Sequence, residues 1–516
     1  MSLIGPVGRR RPRARIAIGF LYLALCIGAI TTLYPFALMI STGLKGPTDQ
    51  ADSRLVPAYL VDNHVLLNKY VDDKYAGDKF DIASSRTGGT ASASDLERYR
   101  AFLMQLPPDR WLAGFKNAPN QVTGRLTLLY HDWLRKRYRS IDTLNRAYLE
   151  ENVGFQTVNT PAELMDRADW KPALGSKWQE WIAFKQGLPA EFRVPIRSQW
   201  LWQKFLASKF KNQFTLVPQP IAGNAKTFEE IELPGESTRP LALWIEFVAH
   251  QPARFRSDPV EEQWERFIGA SRAMPIGAAN ASDLWSRAGP IRREFATRNY
   301  GYVLDYILLN GRAVWNTIVF CLLAIMTQLT VNPLAAYALS RYPVRQSGKI
   351  LIFLLATMAF PTEVAMIPSF LLLKDLGLLN TFAALVLPGA ASGYMIFLLK
   401  GFFDSLPQEL FEAGSIDGAP EATMMLRIAF PLSRPVFGYI ALLAFMGAYG
   451  AFIYAYLVAQ DQRIWTLMVW IYQLQSGGAP KAVVMAALTV AAVPTLVVFL
   501  CTQRVIMRGI VLPGER

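Results

Sequence analysis

The residue types that most often carry out chemistry in proteins are few and scattered in this sequence. They are His64, His131 and His250, with Cys26, Cys321 and Cys501. The histidines have no metal-ligand spacing, and the cysteines lie in apolar runs, where a thiol is usually a small core side chain. No G-x-x-x-x-G-K-[ST] loop for a nucleotide phosphate is present. The sequence therefore predicts no catalytic residue, no metal site and no cofactor in this chain.

One acidic segment, EAGSIDGAPEATMMLRIAFPLSRP, stands between two stretches that are too apolar for a soluble surface. Its pattern predicts a helix after Pro407, a tight turn at Gly418, and a second helix that starts at Pro420. Pro431 and Pro435 are expected to end the second helix. We call residues 404–435 the knob, because a helix, a turn and a second helix would make a compact projection.

The first helix of the knob has an apolar face whose residues recur at helical spacing. They are Leu410, Phe411, Ala413 and Ile416. Such a face would fit a groove on a partner protein. An ordinary amphipathic connector between two buried helices would show the same spacing, so spacing alone leaves both interpretations open.

The elements that must position the knob are strongly apolar. The chain is 52% hydrophobic and 18% charged, against about 25% charged in soluble domains. Six runs of about 20 residues or more are long enough to cross a bilayer core, and only Glu363 interrupts one of them. They are Ile16–Ile40, Ala313–Leu339, Ile350–Leu373, Thr381–Leu399, Val436–Ala459 and Ala482–Gln503. We therefore predict an all-α membrane protein with six transmembrane helices.

The basic residues of the short loops predict the orientation. The head carries five arginines between residues 9 and 15, and alternate loops carry Arg341, Arg345, Lys400 and Arg427. This bias places both termini and the knob in the cytoplasm. The first run is longer than a signal-peptide core, so we expect it to stay as an anchor. The net charge of +13 comes without a basic stripe interleaved with aromatic residues, so no nucleic-acid partner is expected.

The polar residues 45–310 lie between the first two runs and are expected outside the cytoplasm, as a mainly helical insertion. WIAFKQGLPAEFR at 181–193 matches WIEFVAHQPARFR at 244–256, and WQKFL at 202–206 matches WERFI at 264–268. This predicts internal helical repeats, with a third, diverged copy at 133–148. The aromatic residues would pack between stacked helices or, alternatively, form platforms for sugar rings.

The knob resembles the coupling motif of the membrane subunits, or permeases, of ATP-binding cassette (ABC) importers, E-A-A-x-x-x-G followed by x9-I-x-L-P. Gly414 and Met425 depart from the family pattern, which has Ala and usually a large aromatic residue there. The resemblance implies that the knob couples the permease to an ATPase. The matching residues are Glu412, Ala413, Asp417, Gly418, Ala419, Ile428, Pro431 and Pro435.

Other segments extend the resemblance to the sugar permeases related to the smaller membrane subunit of the maltose importer. They are LYPFALMISTGLK, NTIVF, AAYALSRY, PTEVAMIPSFLLLKDLGLLNT and QRVIMRG. A large insertion between the first two spans is unusual in that family. The implied function is import of a solute, expected to be a sugar or oligosaccharide, across a bacterial inner membrane.

The resemblance also implies the partners. They are a second permease subunit, two cytoplasmic ATPase subunits that hold ATP and Mg²⁺, an extracytoplasmic solute-binding protein, and membrane lipid. A different class stays open: a membrane-anchored glycan-binding or glycan-hydrolysing protein that acts through the insertion. Hydrolysis would need two carboxylates roughly 5–10 Å apart on a cleft.

The expected organisation has four parts. A cytoplasmic head at 1–15 precedes a first transmembrane helix at 16–44, the insertion at 45–310, and a permease core at 311–516 that contains the knob. Glu363 is the one carboxylate inside an apolar run. It would make a structural hydrogen bond or take part in gating or solute contact.

Overall fold

A computed structural model of the 516-residue chain describes residues 12–86, 91–116, 123–152, 154–309, 311–342, 344–359 and 361–508. Most of the predicted cytoplasmic head, up to residue 11, and the tail from residue 509 lie outside the described residues. The chain divides into two compact units. One comprises residues 1–302 with 478–486, and the other comprises residues 303–477 with 487–516.

The first unit begins with a long helix, Pro12–Gly43, whose apolar side chains are exposed in this chain, as expected for a helix surrounded by lipid or by another subunit. Short helices then build the insertion. The longer ones are Asn63–Lys74, Lys79–Arg86, Ala93–Gln105, Arg125–Arg137, Ile141–Tyr148, Ser176–Gln186, Ser198–Lys209, Leu241–His250, Ala253–Ser257, Val260–Ile268, Ile276–Trp285 and Ala288–Leu304.

The described part of the insertion contains one small sheet. Trp111–Ala113 pairs antiparallel with Arg193–Pro195, with Leu112 opposite Val194. Single turns of 3-10 helix at Ala58–Leu60, Phe155–Thr157, Ala190–Phe192, Phe214–Leu216, Phe228–Glu230 and Glu236–Thr238, and the short α-helix Gln219–Ala222, complete this unit. The prediction of a mainly helical insertion therefore agrees with the structure.

The two predicted repeat copies share an order of elements. In each copy a helix is followed by a proline, a short helical turn and a further helix: Ser176–Gln186 to Ser198–Lys209, and Leu241–His250 to Val260–Ile268. Trp181, Trp202 and Trp264 are all buried in aromatic clusters. These three rings pack in the interior and cannot act as sugar platforms, whereas Trp133 and Trp244 of the repeats are half-buried and the alternative stays a prediction for them.

Buried polar groups join the two chain ends of the insertion. The Asn299 side-chain amide donates to the backbone carbonyls of Gly43 and Lys45 at 2.8 and 2.6 Å. Arg298 pairs with Asp73 at 2.9 Å, with both side chains about 2% exposed. These contacts fix the insertion to the end of the first helix through folded structure rather than through a loose linker.

The second unit is a bundle of apolar helices. Ala313–Arg341 packs against Gly393–Asp404 and against Arg434–Gly450. The other elements are Asp305–Leu309, Ser347–Ala356, Thr357–Ala359, Thr362–Asp375, Phe382–Val386, Leu387–Gly389, Glu409–Ile416, Glu421–Met424, Met425–Ala429, Phe430–Leu432, Phe452–Val458, Gln462–Ile464, Leu467–Ser476 and the part of Lys481–Arg508 from residue 487 onward.

Three of the six predicted spans are continuous helices in the described residues: Ile18–Gly43, Ala313–Arg341 and Lys481–Gln503. The fourth run consists of two helices bent by 52° between Gly389 and Gly393. The third run consists of two shorter helices on either side of 357–361, and the fifth is interrupted at Ala451. By length and composition the described helices give three to five spans, so the count of six stays a prediction.

Candidate functional site

The knob is built on a helix end that its sequence specifies. Helix Glu409–Ile416 ends at Asp417, and Gly418 follows with a φ of +75°. The Ala419 N–H donates to the Gly414 carbonyl at 2.9 Å, and the Gly418 N–H donates to the Ser415 carbonyl at 3.1 Å. This pair of bonds is the Schellman motif, which needs a left-handed residue and therefore favours glycine. The predicted turn at Gly418 is confirmed.

The first helix exposes three of the four apolar residues predicted for its docking face, Leu410, Ala413 and Ile416, but not Phe411. Ile416 is 86% exposed and Leu410 is 42% exposed, and Glu412, Ala413 and Asp417 are also exposed. Phe411 is buried instead, so its inclusion in the docking face was wrong. Its ring faces inward because it packs into the core beneath the knob. That core is formed by Phe402, Phe403, Met424 and their neighbours.

The end of the second span holds the knob through three side chains, which we call the clamp: Tyr337, Ser340 and Arg341. The Tyr337 hydroxyl donates to Glu421 at 2.9 Å, at the start of the second knob helix. The Arg341 guanidinium lies 3.6 Å from the centroid of the Phe411 ring. It also donates to the Phe403 carbonyl at 2.8 Å. The Ser340 hydroxyl donates to Asp404 at 2.7 Å.

The clamp gives the knob a second attachment besides its own chain. A stacked guanidinium and a carboxylate bond hold both knob helices to one span. Sequence reasoning missed these residues. Arg341 was used only as a topological marker, although a basic residue and a tyrosine one helical turn apart at a span end were visible in AAYALSRY.

The second knob helix is longer and less regular than predicted. Glu421–Met424 continues through a π-helical turn, Met425–Ala429, into Phe430–Leu432. Pro431 therefore lies in the last turn instead of ending the helix, and Pro435 lies in the first turn of Arg434–Gly450. Phe430–Leu432 meets the following span at a bend of 80°. Ile428 is half-buried beside this turn.

Gly414, which departs from the family pattern, has a packing role here. A Cβ on Gly414 would lie 3.3 Å from the Met424 sulfur and 3.5 Å from Ile428 Cδ1. The two knob helices are therefore in close contact at this glycine.

Glu363 lies in the first turn of Thr362–Asp375, directly after the break in the third run. Its side chain is exposed and has no hydrogen bond within the described part of the chain. The structural hydrogen bond considered for it has no support there. Gating or solute contact stays a prediction.

The insertion has a cleft of about 580 Å³ lined by carboxylates, which is one candidate place for hydrolysis. Each carboxylate has a cationic neighbour, among them Glu163 with Lys185 at 2.6 Å and Asp81 with Arg197 at 2.5 Å. Burial favours a raised pKa for Glu163, but Lys185 and Lys116 outweigh it and lower that pKa. Glu163 is therefore held as a structural anion, the opposite of what a general acid requires.

Comparison with known proteins identifies the family. Residues 332–511 match the family described as binding-protein-dependent transport system inner membrane component. The sn-glycerol-3-phosphate transport system permease protein UgpE of Yersinia enterocolitica is 32% identical over 206 residues, which cover 39% of this chain and 73% of the relative. The chain belongs to this permease family. The match includes the knob and Glu363, whereas residues 45–310 lie before it.

Two further similarities accompany this assignment. The trehalose/maltose transport system permease protein MalG of Thermococcus litoralis is 34% identical to the permease over 217 residues, which cover 41% of this chain and 78% of MalG. A solved bacterial ABC transporter involved in the import of the acidic polysaccharide alginate aligns with 40% of this chain and 78% of that chain, with 26% identity and a TM-score of 0.36.

Membership of the family fixes several points. The chain is an all-α, multi-pass permease of the inner membrane and belongs to an ABC importer. It is a transport component and not an enzyme. Importers of this family work with an ATPase and with a solute-binding protein. The coupling assignment of the knob and the role of the insertion belong to the proposals below.

Proposed function

We propose that this permease is one of two different membrane subunits of an importer for a sugar or oligosaccharide. A binding protein delivers the solute from outside, and two ATPase subunits in the cytoplasm, which carry ATP and Mg²⁺, supply the energy. The similarity to a trehalose/maltose permease supports the choice of a sugar. The bundle moves the solute by alternating access, in which two arrangements of the spans open to opposite sides.

The observation that carries this proposal is the knob. It is a compact pair of short helices with a fixed turn, and it exposes Ile416 and Leu410 together with Glu412 and Asp417. An exposed apolar anchor inside a ring of charged residues is typical of a docking surface. The clamp attaches this surface to the helix Ala313–Arg341, so movement of the knob is transmitted directly to a membrane span.

The basic loops support placing the knob in the cytoplasm and the insertion outside. There the insertion captures the loaded binding protein and orients it over the solute path. Its attachment through Asn299 and Arg298 gives it the rigidity that orienting a partner requires. Glu363, exposed beside a break in the third run, contributes to gating or solute contact.

The coupling assignment is tested with Gly418→Asp in the assembled importer. Apart from its chain neighbours, no atom of the described residues lies within 4 Å of a Cβ at Gly418, so the new side chain projects from the knob towards the ATPase. We expect uptake to fall at least tenfold while the permease stays in the membrane. Gly377→Asp is the matched control, because Gly377 has a similar φ of +67° and open surroundings but lies at the far end of a span. Equal uptake by the two variants would refute the assignment.

The role of the insertion is tested by replacing 52–301 with a short flexible linker. We expect the ATPase still to co-purify, while capture of the binding protein weakens and uptake at low solute concentration falls. Loss of the ATPase would mean that the insertion braces the assembly instead. Glycan hydrolysis by the intact permease would favour the alternative function.

A further inference from the structure

The fourth run of the bundle contains a stretch of irregular backbone. Phe382–Val386 and the turn Leu387–Gly389 end before Gly393–Asp404 begins, and the two parts are bent by 52°. We call residues 388–392 the break. We infer that the break and Gln328 of the second span form a binding site for a neutral, hydroxyl-rich solute such as a sugar. This inference rests on the proposed function.

The length of the second span places the break near the middle of the membrane. The break is in contact with Gln328, which is about 22 Å of helix from Ala313 and about 20 Å from Arg341, at ~1.5 Å per residue. A bilayer core is about 30 Å thick, so Gln328 lies close to its centre. A polar side chain at this depth is costly unless it has a partner or contacts water.

Two amide side chains bond the free backbone of the break. The Gln328 side chain donates to the Gly389 carbonyl at 3.1 Å. The Asn332 side chain accepts from the Ser392 N–H at 2.8 Å, and its own N–H donates to the Gln328 carbonyl at 3.1 Å. Asn332 is fully buried, whereas Gln328 is only half-buried. The buried amide therefore holds the break, and Gln328 remains accessible beside it.

The geometry of the break is fixed by close packing. A Cβ on Gly393 would clash with the backbone carbonyl of Leu354, in the helix Ser347–Ala356. Only glycine allows this approach, so the second half of the run is seated against a neighbouring helix. Pro388 supplies no N–H, which is consistent with a helix that stops at this point.

Residues that carry polar backbone groups remain exposed in the break despite these bonds. Pro388, Gly389 and Ala391 are exposed in the permease. Lipid cannot satisfy such groups, and irregular backbone at membrane depth is tolerated where it is buried in protein or lines an aqueous cavity. Discontinuous membrane helices supply solute sites in other transporters for this reason. We assign the exposed face of the break to the solute path.

The groups of the break define the class of solute. Gln328 uses one of its two amide hydrogens on Gly389, so one N–H and the side-chain carbonyl stay available, as does a lone pair of the Gly389 oxygen. The sequence of the break, PGAAS, and its two amide partners contain no charged residue. These donors and acceptors suit hydroxyl groups, and they offer no counter-charge to a phosphate or carboxylate.

The first test measures water access by cysteine labelling in the assembled importer. Cys26, Cys321 and Cys501 are replaced with alanine, and single cysteines are introduced as Ala391→Cys and, as a control, Leu322→Cys. Leu322 is 54% exposed on the same span as Gln328, in a purely apolar stretch. A hydrophilic methanethiosulfonate reagent should modify the Ala391→Cys thiol at least ten times faster. Equally slow rates would show that protein or lipid covers the break, and would overturn the proposal.

The same variant tests the solute class. With the binding protein present, maltose or trehalose should slow labelling at Ala391→Cys severalfold, and sn-glycerol 3-phosphate should not. Protection by the phosphate alone, or by none of the three, would overturn the assignment. Failure of the unmodified importer to take up any solute would refute the proposed function by itself, because the labelling rate does not depend on transport.

A third measurement uses Gln328→Leu, which keeps the volume and removes the amide. We expect KM for uptake to rise about tenfold, which corresponds to the loss of one to two hydrogen bonds to the solute. ATPase association should be unchanged. The matched control is Thr330→Val, because within the described residues the exposed Thr330 hydroxyl bonds only to the Met326 carbonyl of its own helix. A normal KM in Gln328→Leu would contradict the assignment.

Discussion

The insertion and the bundle treat buried polar groups in opposite ways. The insertion buries whole ion pairs: Lys185 with Glu163, and Arg298 with Asp73, are each almost fully inaccessible. The described part of the bundle has one ion pair, Lys400 with Asp404, and it is partly exposed at a helix end. Its interior polar contacts come from amides and hydroxyls, such as Asn332 and Gln328.

The difference follows from what surrounds each region. A domain that folds in water can bury an ion pair if further hydrogen bonds satisfy both groups, as the Pro108 and Trp111 carbonyls do for Lys185. A bundle in lipid has no water to compensate a lone charge, so neutral groups are used and are placed where the backbone is irregular. We therefore expect buried ion pairs to contribute to the stability of the insertion, and amide side chains to bond irregular backbone in the bundle.

The largest expected effect comes from breaking an ion pair of the insertion. Glu163→Gln would leave the Lys185 ammonium buried without its anion, at a cost of about 3–5 kcal/mol in the free energy of unfolding. The measurement is denaturant unfolding followed by tryptophan fluorescence, because ten of the 13 Trp residues lie between 45 and 310.

The matched control is an exposed ion pair. Lys209→Gln breaks the pair with Glu246, whose members are 41% and 35% exposed, and should cost less than about 1 kcal/mol. Similar losses in the two variants would contradict the view that buried ion pairs stabilise the insertion. Glu163→Gln could instead change the coupling of ATP hydrolysis to uptake while the insertion stays folded. That result would contradict the view that this ion pair acts on the stability of the insertion alone.

A smaller effect is expected at the clamp, where the Arg341 guanidinium stacks on the Phe411 ring. Arg341→Ala removes the stack on Phe411 and the bond to the Phe403 carbonyl. The bonds of Tyr337 and Ser340 remain, so the knob stays attached to the second span but is held less firmly. Uptake should fall severalfold while ATP hydrolysis continues. Arg345→Ala is the control, because Arg345 is exposed a few residues further along the same loop. Equal ATP hydrolysis and equal uptake in both variants would show that Arg341 does not transmit movement between the knob and the second span.

The sequence predicted the apolar runs, the turn at Gly418 and the helical character of the insertion, because each depends on local composition or on one residue's backbone preference. Pro361 indicated a kink in the third run, where the structure has a break, but the breaks in the fourth and fifth runs were not predicted. The apolar composition of a run indicates membrane burial and does not depend on the direction of the backbone.

Two site features also escaped prediction. Phe411 was placed on the docking face because helical spacing does not tell which of two apolar faces meets the core. The bond between Tyr337 and Glu421 joins residues far apart in the chain, and no local pattern contains it. Contacts of this kind depend on how helices meet and need the tertiary structure.

The smallest effect is expected at Gly414, and it compares two glycines of the knob. Gly414→Ala and Gly418→Ala each add one methyl group. At Gly414 the methyl favours the helix by up to about 1 kcal/mol, and it meets the flexible Met424 side chain, which can shift by a few tenths of an ångström. At Gly418 the φ of +75° makes any side chain unfavourable by about 1–2 kcal/mol. We therefore expect uptake to change less than about twofold in Gly414→Ala and to fall clearly in Gly418→Ala, measured at equal amounts of permease in the membrane. A tenfold loss in Gly414→Ala would mean that the close approach of the two knob helices, rather than the turn between them, controls coupling.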